Sequence, residues 1–420
     1  MKDKQIEKLI KAEEARQKKT ISLIASENYV SDDVLKALGS KFTNKYSEGY
    51  PGKRYYKGQT YTDQVEELCR ERALKLFKLS PEKWAVNVQP LSGSPANLAV
   101  YVALVPAGGK VMGMSLDHGG HLTHGHKVSA TGKYWMQVPY GVNKNTEVLD
   151  YDELKKLAIA EKPAMIIAGY TAYPRIVDFK KFREIANACG PIRTDGASPT
   201  SNGARAILMV DMSHFAGLVA GGAYPSPFEY ADVVTTTVHK TLRGPRSALI
   251  FSRKDKTKTS VKGNEISFSE LIDKAVFPGL QGGPHMNQIA AVAVALKEAS
   301  TPAFKKYAKQ VIKNAKVLSD ELKKLGWKII SGGTDSHLIL MDTFMNGKGM
   351  SGAEASDKLE KEGIIVNKNT IPNETRSPVD PSGIRLGTAG ETTRGAKEKD
   401  MIKLAKRIDG VLFRKGGDKF

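Results

Sequence analysis

The chain has 420 residues, 40% of them hydrophobic, with 64 Lys+Arg against 45 Asp+Glu and a formal net charge of +19. That composition suits one large domain with a smaller one attached and excludes a disordered polymer. No run approaches the ~20 consecutive apolar residues of a membrane span, and the only cysteines, Cys69 and Cys189, have neither disulfide-framework nor metal-ligand spacing.

In chain order, "MKDKQIEKLIKAEEARQKK" reads as a charged helix and not as a signal peptide, so a soluble, cytoplasmic protein is expected. A loop, "SLIASENYVSDD", and a short helical stretch to Ser40 complete an N-terminal helical arm over residues 1–40. After the loop "YPGKRYYKG" comes "YTDQVEELCRERALKLFKL", whose apolar Val65, Leu68, Ala73, Leu76 and Phe77 recur close to helical spacing. Short apolar runs follow: "WAVNVQ", "KVMGMS", "AMIIAGY", "AILMVDM", "DVVTTTV" and "SALIF". Longer amphipathic segments or Gly/Pro-rich loops separate most of them, the pattern of an α/β domain with a largely parallel sheet, here residues 41–284. Within it, residues 191–205 are rich in Gly, Ser, Pro and Thr and read as a surface loop before the strand that ends at Asp211. A long helical stretch from His285 to Leu325, then "WKIISGG", "HLILMD", a helix, "GIIVN" and a last helix from Lys397 predict a smaller α+β domain over 285–420.

The positive charge calls for a polyanionic partner, either nucleic acid or a small molecule. Its densest cluster, "RKDKTKTSVKG" at 253–263, has no interleaved aromatic residue and reads as a solvated loop. "YPGKRYYKG" mixes Tyr50, Tyr55 and Tyr56 with Lys53, Arg54 and Lys57, a combination suited to stacking the bases of a single strand.

Ligands of parallel α/β sheets gather at the carboxyl ends of the strands. After "WAVNVQ", Ser92, Gly93 and Ser94 open a predicted helix, whose unpaired N–H groups suit a phosphate. After "AILMV" come Asp211 and His214, and a carboxylate there can hold a proton on a ligand's ring nitrogen. After "VVTTTV" come His239 and Lys240, where desolvation lowers an amine's pKa as a Schiff-base lysine requires. Each has an ordinary structural reading: a helix cap, a satisfied buried pair, a lysine snorkelling from a strand end. Together they supply the parts of a pyridoxal phosphate enzyme.

The chain closely resembles serine hydroxymethyltransferase, a fold-type I pyridoxal phosphate enzyme, over nearly its whole length. The matching motifs are "LIASENYVS", "KYSEGYPGKRYYKGQTYTDQVE", "NVQPLSGSPAN", "LDHGGHLTHG", "VDMSHFAGLV", "TTTVHKTLRGPR", "VFPGLQGGPHMNQIAA", "VNKNTIP" and "SGIRLGT". The resemblance implies a large α/β domain with a mostly parallel seven-stranded sheet, and transfer of the serine hydroxymethyl carbon to tetrahydrofolate or a modified pterin. It implies that Lys240 is the Schiff-base lysine, with Thr237 beside it, that Asp211 pairs with the pyridinium nitrogen, and that His121 stacks on the ring. His214 would contact the cofactor's phenolic oxygen or the substrate carboxylate, near Thr171. Ser92, Gly93, Ser94 and His239 would hold the phosphate, with Gly283 reaching in from a neighbouring subunit. Arg385 would bind the amino-acid carboxylate, assisted by Ser26. Glu48, from the partner subunit, would move a proton, while Tyr46 and Tyr56 shape the pocket. Leu116, Gly120, Leu122 and Asn369 would line the folate site. No metal is implied; a homodimer with shared active sites is, with a tetramer as the alternative assembly.

On this reading "YPGKRYYKG" is an active-site wall, which displaces a nucleic-acid function. A folate-independent aldolase acting on β-hydroxy amino acids is a further alternative, and "LDHGGHL" and "NKNTIP" argue against it. The chain departs from the resemblance at Leu91, at Val238 and in the 191–205 loop. Val238 stands where a further threonine usually precedes the His-Lys pair, so a modest slowing of exchange between lysine and substrate is expected.

Overall fold

A computed structural model describes residues 1–189, 205–255, 257–259 and 265–413. The loop expected at 191–205 lies outside the described residues up to 204, as does part of the basic run at 253–263. The chain divides into two compact units, one of Val30–Lys309 and one of Met1–Tyr29 with Gln310–Phe420.

In the larger unit, β1 (Trp84–Asn87), β2 (Lys110–Met114), β3 (Met136–Tyr140), β4 (Met165–Gly169), β5 (Ile207–Asp211), β6 (Val233–Thr237) and β7 (Ala248–Arg253) form one sheet. Its order is β1-β7-β6-β5-β4-β2-β3. β7 runs antiparallel to β1 and β6, and the remaining pairs are parallel. This is the mostly parallel seven-stranded sheet that the resemblance implies. Six strands come from the apolar runs read in the sequence. The seventh, β3, has no such run: at the sheet edge its burial alternates, and Pro139 is tolerated there because no neighbour needs its N–H.

β4, β5 and β6 are buried on both faces. On one face Ala96, Val100 and Leu104 of the helix Gly93–Leu104 and Ile272 of the helix Phe268–Lys274 share a core with Met165, Ile167, Ile207, Met209 and Val233. At β3, Phe182 of the helix Phe179–Ala188 packs on Tyr140, with ring centroids 5.8 Å apart. This parallel stack brings the carboxyl ends of β4, β5 and β6 to one edge, with Gly169 opposite Asp211 and Asp211 opposite Thr235. Gly169 has a φ of 153°, and a Cβ there would lie 2.3 Å from the Asp211 carbonyl oxygen, so only glycine lets the strands approach.

The helical stretch read as continuous from 285 to 325 is two helices, Met286–Ala299 and Pro302–Lys324. The physical reason is Pro302, which lacks the N–H that a helix interior needs and is accommodated in a first turn. The first of the two packs on the helices Asp32–Leu38 and Thr60–Leu76 of the larger unit.

The smaller unit holds a four-stranded antiparallel sheet of β8 (Lys328–Ile329), β9 (Leu338–Asp342), β10 (Asn367–Asn369) and β11 (Gly383–Gly387), in the order β8-β9-β11-β10. Leu359, Leu404 and Ile408 from two helices close a core over Ile339, Met341, Ile384 and Leu386. The N-terminal segment joins this unit because Ile21–Ser22 pairs in parallel with Ile364–Ile365. Among the described residues, no helix is long and apolar enough to cross a membrane.

Candidate active site

The carboxyl edge of the large sheet opens into a cleft. Ser92, Gly93, Ser94, His121, Thr171, Asp211, His214, Thr237, His239 and Lys240 line it, so ten residues named from the sequence meet in one place. Asn97, Tyr170, Ser213 and Arg246 line it too, and the sequence reading missed them.

Lys240 follows β6 by three residues and places Nζ 2.9 Å from Thr237 Oγ1, to which it donates. Thr237 is held in turn through its own N–H, which donates to Ser213 Oγ at 3.0 Å. The turn after β5 is thereby stitched to the end of β6.

Asp211 is buried at the end of β5. Its Oδ2 accepts from Asn97 Nδ2 at 2.9 Å and faces His124 Nε2 at 3.1 Å, while Oδ1 accepts from the Ser213 N–H at 3.0 Å. Burial alone raises a carboxyl's pKa. Here the hydrogen bonds from His124, Ser213 and Asn97 outweigh it and hold Asp211 well below the usual carboxylate range. An ionised, oriented carboxylate without a salt-bridged lysine or arginine is a costly arrangement, and three donors are what stabilise it. His124 had a sequence signal: it lies three residues from His121 in "GGHLTHG".

One wall of the cleft is built on the helix Gly93–Leu104. Ser92 stands at its N-cap, yet its side chain makes no capping hydrogen bond, so the ordinary cap reading does not describe it. Gly93 is pressed against β6, where a Cβ would meet Thr237 Cγ2 at 2.7 Å. His239 is mostly buried, and among the described residues its Nδ1 has no hydrogen-bond partner. Burial, with Lys240 and Arg246 nearby, holds its pKa down to about 3, so the ring is neutral at neutral pH. A buried ring nitrogen without a partner, a helix start free of a side-chain cap and a glycine-lined wall fit an anionic phosphate.

Other residues named from the sequence form separate groups. The hairpin Gly49–Tyr50 with Lys53–Arg54 turns at Pro51-Gly52, where Gly52 has a φ of 74°. Beside it Tyr46 donates to Glu48 Oε1 at 3.3 Å and packs edge-on against Tyr56, with centroids 5.1 Å apart. A Cβ on Gly283 would lie 3.7 Å from both Tyr46 and the Ser47 nitrogen, so Tyr46, Glu48, Tyr56 and Gly283 form a cluster of their own, and none of the four lines the cleft. Arg54 is buried beneath it and donates to the carbonyls on either side of Glu48, Ser47 O at 2.8 Å and Gly49 O at 2.7 Å. It also pairs with Asp63 at 2.8 Å and Glu66 at 2.6 Å, so this arginine is not on a base-stacking surface.

Leu116, Gly120 and Leu122 lie in the two tight turns that follow β2, and Gly119 O accepts from the Thr171 N–H at 2.7 Å. In the smaller unit Arg385 sits buried in β11 opposite Asn367, whose Oδ1 accepts from Arg385 Nε at 3.1 Å. Burial lowers its pKa to about 10, which leaves it charged at neutral pH. Asn369 ends β10, opposite Gly383. The segment carrying Ser26 runs along β11: the Gly387 N–H donates to Leu23 O at 2.7 Å.

Val238 is fully buried and does not line the cleft. Its Cγ1 lies 2.4 Å from the point a Cβ on Gly244 would occupy, which places the side chain in the core beneath Gly244. Leu91 does not line the cleft either; its N–H donates to Gln281 Oε1 at 3.1 Å. Among the described residues no group of three or more His, Cys, Asp or Glu side chains is arranged to hold a metal ion.

A strand-end lysine, an ionised buried carboxylate and an anion cradle on a mostly parallel seven-stranded sheet define a fold-type I pyridoxal phosphate enzyme. The family pattern described as "Serine hydroxymethyltransferase" matches residues 1–408. A serine hydroxymethyltransferase of Desulfotalea psychrophila is 52% identical over 410 residues, covering 98% of this chain and 88% of the relative. One of Koribacter versatilis is 53% identical over 399 residues, 95% of this chain and 86% of the relative. A "probable serine hydroxymethyltransferase, cytosolic" of Schizosaccharomyces pombe is 48% identical over 417 residues, 98% of this chain and 85% of the relative. The chain belongs to the serine hydroxymethyltransferase family, whose members are pyridoxal phosphate-dependent one-carbon transferases.

Proposed function

We propose that this chain transfers the hydroxymethyl carbon of L-serine reversibly to tetrahydrofolate, giving glycine and 5,10-methylenetetrahydrofolate, with pyridoxal phosphate held in the cleft at the ends of β4, β5 and β6. The observation that carries the reading is the meeting of Lys240, Asp211 and the Ser92–Ser94 helix start in that one cleft. Bound pyridoxal phosphate supplies an aldehyde for amines and a ring that withdraws electrons from the neighbouring carbon.

The residues have separate tasks. Lys240 presents its amine, aimed by Thr237. Asp211 keeps a proton on the ring nitrogen, His121 covers the ring face, and His214 and Thr171 hold its polar edge. Ser92, Gly93, Ser94 and neutral His239 bind the phosphate. Arg385 binds the substrate carboxylate through two parallel hydrogen bonds, with Ser26 assisting. Glu48 exchanges a proton with the substrate hydroxyl, Tyr46 and Tyr56 exclude water around it, and Leu116, Gly120, Leu122 and Asn369 contact the pterin.

The separate grouping of Tyr46, Glu48, Tyr56 and Gly283 supports a homodimer in which one subunit's cluster completes the other's cleft. The cytosolic name of the Schizosaccharomyces pombe relative supports a cytoplasmic location. Adding pyridoxal phosphate, then glycine, then tetrahydrofolate tests the function by absorbance. A visible band that the pterin strengthens, and that Lys240→Ala abolishes, is the expected result. A wild-type chain without a band refutes the reading.

A further inference from the structure

A chain of hydrogen bonds, buried at Asp211 and Asn97 and part-buried at His121, ties the Asp211 carboxylate to the His121 ring through two residues of no assigned role, Asn97 and Thr123. Asn97 lies one turn into the helix Gly93–Leu104. Its Nδ2 donates to Asp211 Oδ2 and to Thr123 Oγ1, both at 2.9 Å, and its Oδ1 accepts from Thr235 Oγ1 at 2.8 Å. An ionised carboxylate only accepts, so Asp211 sets which way the Asn97 amide points. Thr123 Oγ1 therefore receives a hydrogen from Asn97, and its own hydrogen goes to His121 Nδ1 at 2.8 Å. The Thr123 backbone N–H donates to the same Nδ1 at 3.2 Å.

His121 Nδ1 is thus an acceptor twice over and carries no proton. A neutral imidazole has one acceptor nitrogen and one donor nitrogen, so the His121 proton is on Nε2. The same logic orients His124: its Nδ1 accepts from the His121 backbone N–H at 3.2 Å, which leaves Nε2–H to donate to Asp211 at 3.1 Å.

We propose that Asn97 and Thr123 are positioning residues that lock His121 as the neutral Nε2–H tautomer, and that the charge on Asp211 sets the direction of the lock. The role assigned to the lock rests on the cofactor reading above: a neutral ring covers the cofactor without adding a second cation beside the one Asp211 pairs with. The proton positions themselves do not depend on that reading.

Imidazole ¹⁵N spectra of the cofactor-free chain test them. The titratable or charged groups around His121 are His124, Asp211, His214, His239, Lys240 and Arg246. In the wild type, His121 and His124 should both show protonated Nε2 and bare Nδ1. Thr123→Val removes one of the two donors at Nδ1, and a hydrogen bond to the neutral ring is worth about one pH unit. The His121 titration midpoint should therefore rise by about that amount while the His124 tautomer stays put. Asn97→Leu should move the His121 Nδ1 resonance as well, with the backbone amide spectrum otherwise folded. A wild-type proton on His121 Nδ1 overturns the proposal without any variant having to fold. So does a His121 titration unchanged in a folded Thr123→Val. If the tautomers are as stated but added pyridoxal phosphate gives no visible band, the cofactor reading fails and the lock stands.

Discussion

Replacing Arg54 by Met should cost stability in a strongly pH-dependent way. Arg54 and Glu66 are almost fully buried, with side chains 3% and 2% exposed and N···O at 2.6 Å. Burial raises the Glu66 carboxyl above the usual carboxylate range, against the attraction of Arg54 and the hydrogen bonds from Gln89. Without Arg54 the carboxylate keeps the hydrogen bonds from Gln89 and the weaker attraction of Arg70, and its pKa rises further. Breaking one side of a buried pair typically costs ~3–5 kcal/mol, much of it the price of the stranded charge. A carboxyl with a raised folded-state pKa contributes fully below its unfolded pKa and loses that contribution as pH rises through the folded one. The loss in Arg54→Met should therefore be largest near pH 8 and shrink on acidification by up to about 1.4 kcal/mol per pH unit. Urea unfolding of wild type and variant at pH 5 to 8 measures it. Arg54→Met/Glu66→Gln should recover much of the loss at pH 8, because no buried charge remains. A loss below about 1 kcal/mol, or one equal at both ends of the range, refutes the reasoning.

Lys240→Ala should bind pyridoxal phosphate weakly and show no visible band, because Nζ is the amine in the cleft; a retained band would place the bond elsewhere. Val238→Thr buries a hydroxyl in the core under Gly244, so an unfolding free energy lowered by about 1–2 kcal/mol is expected with an unchanged single-turnover rate. A changed rate would restore the expectation drawn from the sequence. His239, held down to about 3, contributes stability that is present above the ordinary histidine pKa and lost as pH falls toward that value. His239→Asn cannot titrate, so acidification from pH 7 to 4.5 should destabilise the cofactor-free wild type by about 2 kcal/mol more than the variant in urea unfolding.

Much of the cleft was legible because its residues follow apolar runs. A strand buried on both faces is rich in apolar or β-branched residues, so polar residues soon after such a run mark its carboxyl end. Ser92, Asp211 and Lys240 are found that way. β3 was not, because an edge strand with one exposed face and a proline has no continuous run to see. The break at Ser300 and Thr301 was missed because the apolar periodicity continues on both sides of it. Asn97 and His124 were missed for another reason. Asn97 is an isolated amide in a mostly apolar helix, and its partners Thr123, Asp211 and Thr235 lie 26, 114 and 138 positions away.

Six strands of the large sheet, the helix start after β1 and the lysine after β6 follow from local pattern, which short stretches of sequence carry by themselves. The tertiary structure decided what those groups are. Asp211 is ionised only because His124, Asn97 and Ser213 converge on it, and the protons on both histidines are placed by the same contacts. Val238 passes from a near neighbour of Lys240 in sequence to a core residue in space: Thr237 before it lines the cleft, and consecutive positions at a strand end face opposite ways. Hydrogen bonds and burial depend on distances between remote segments, and those distances exist only once the sheet has assembled.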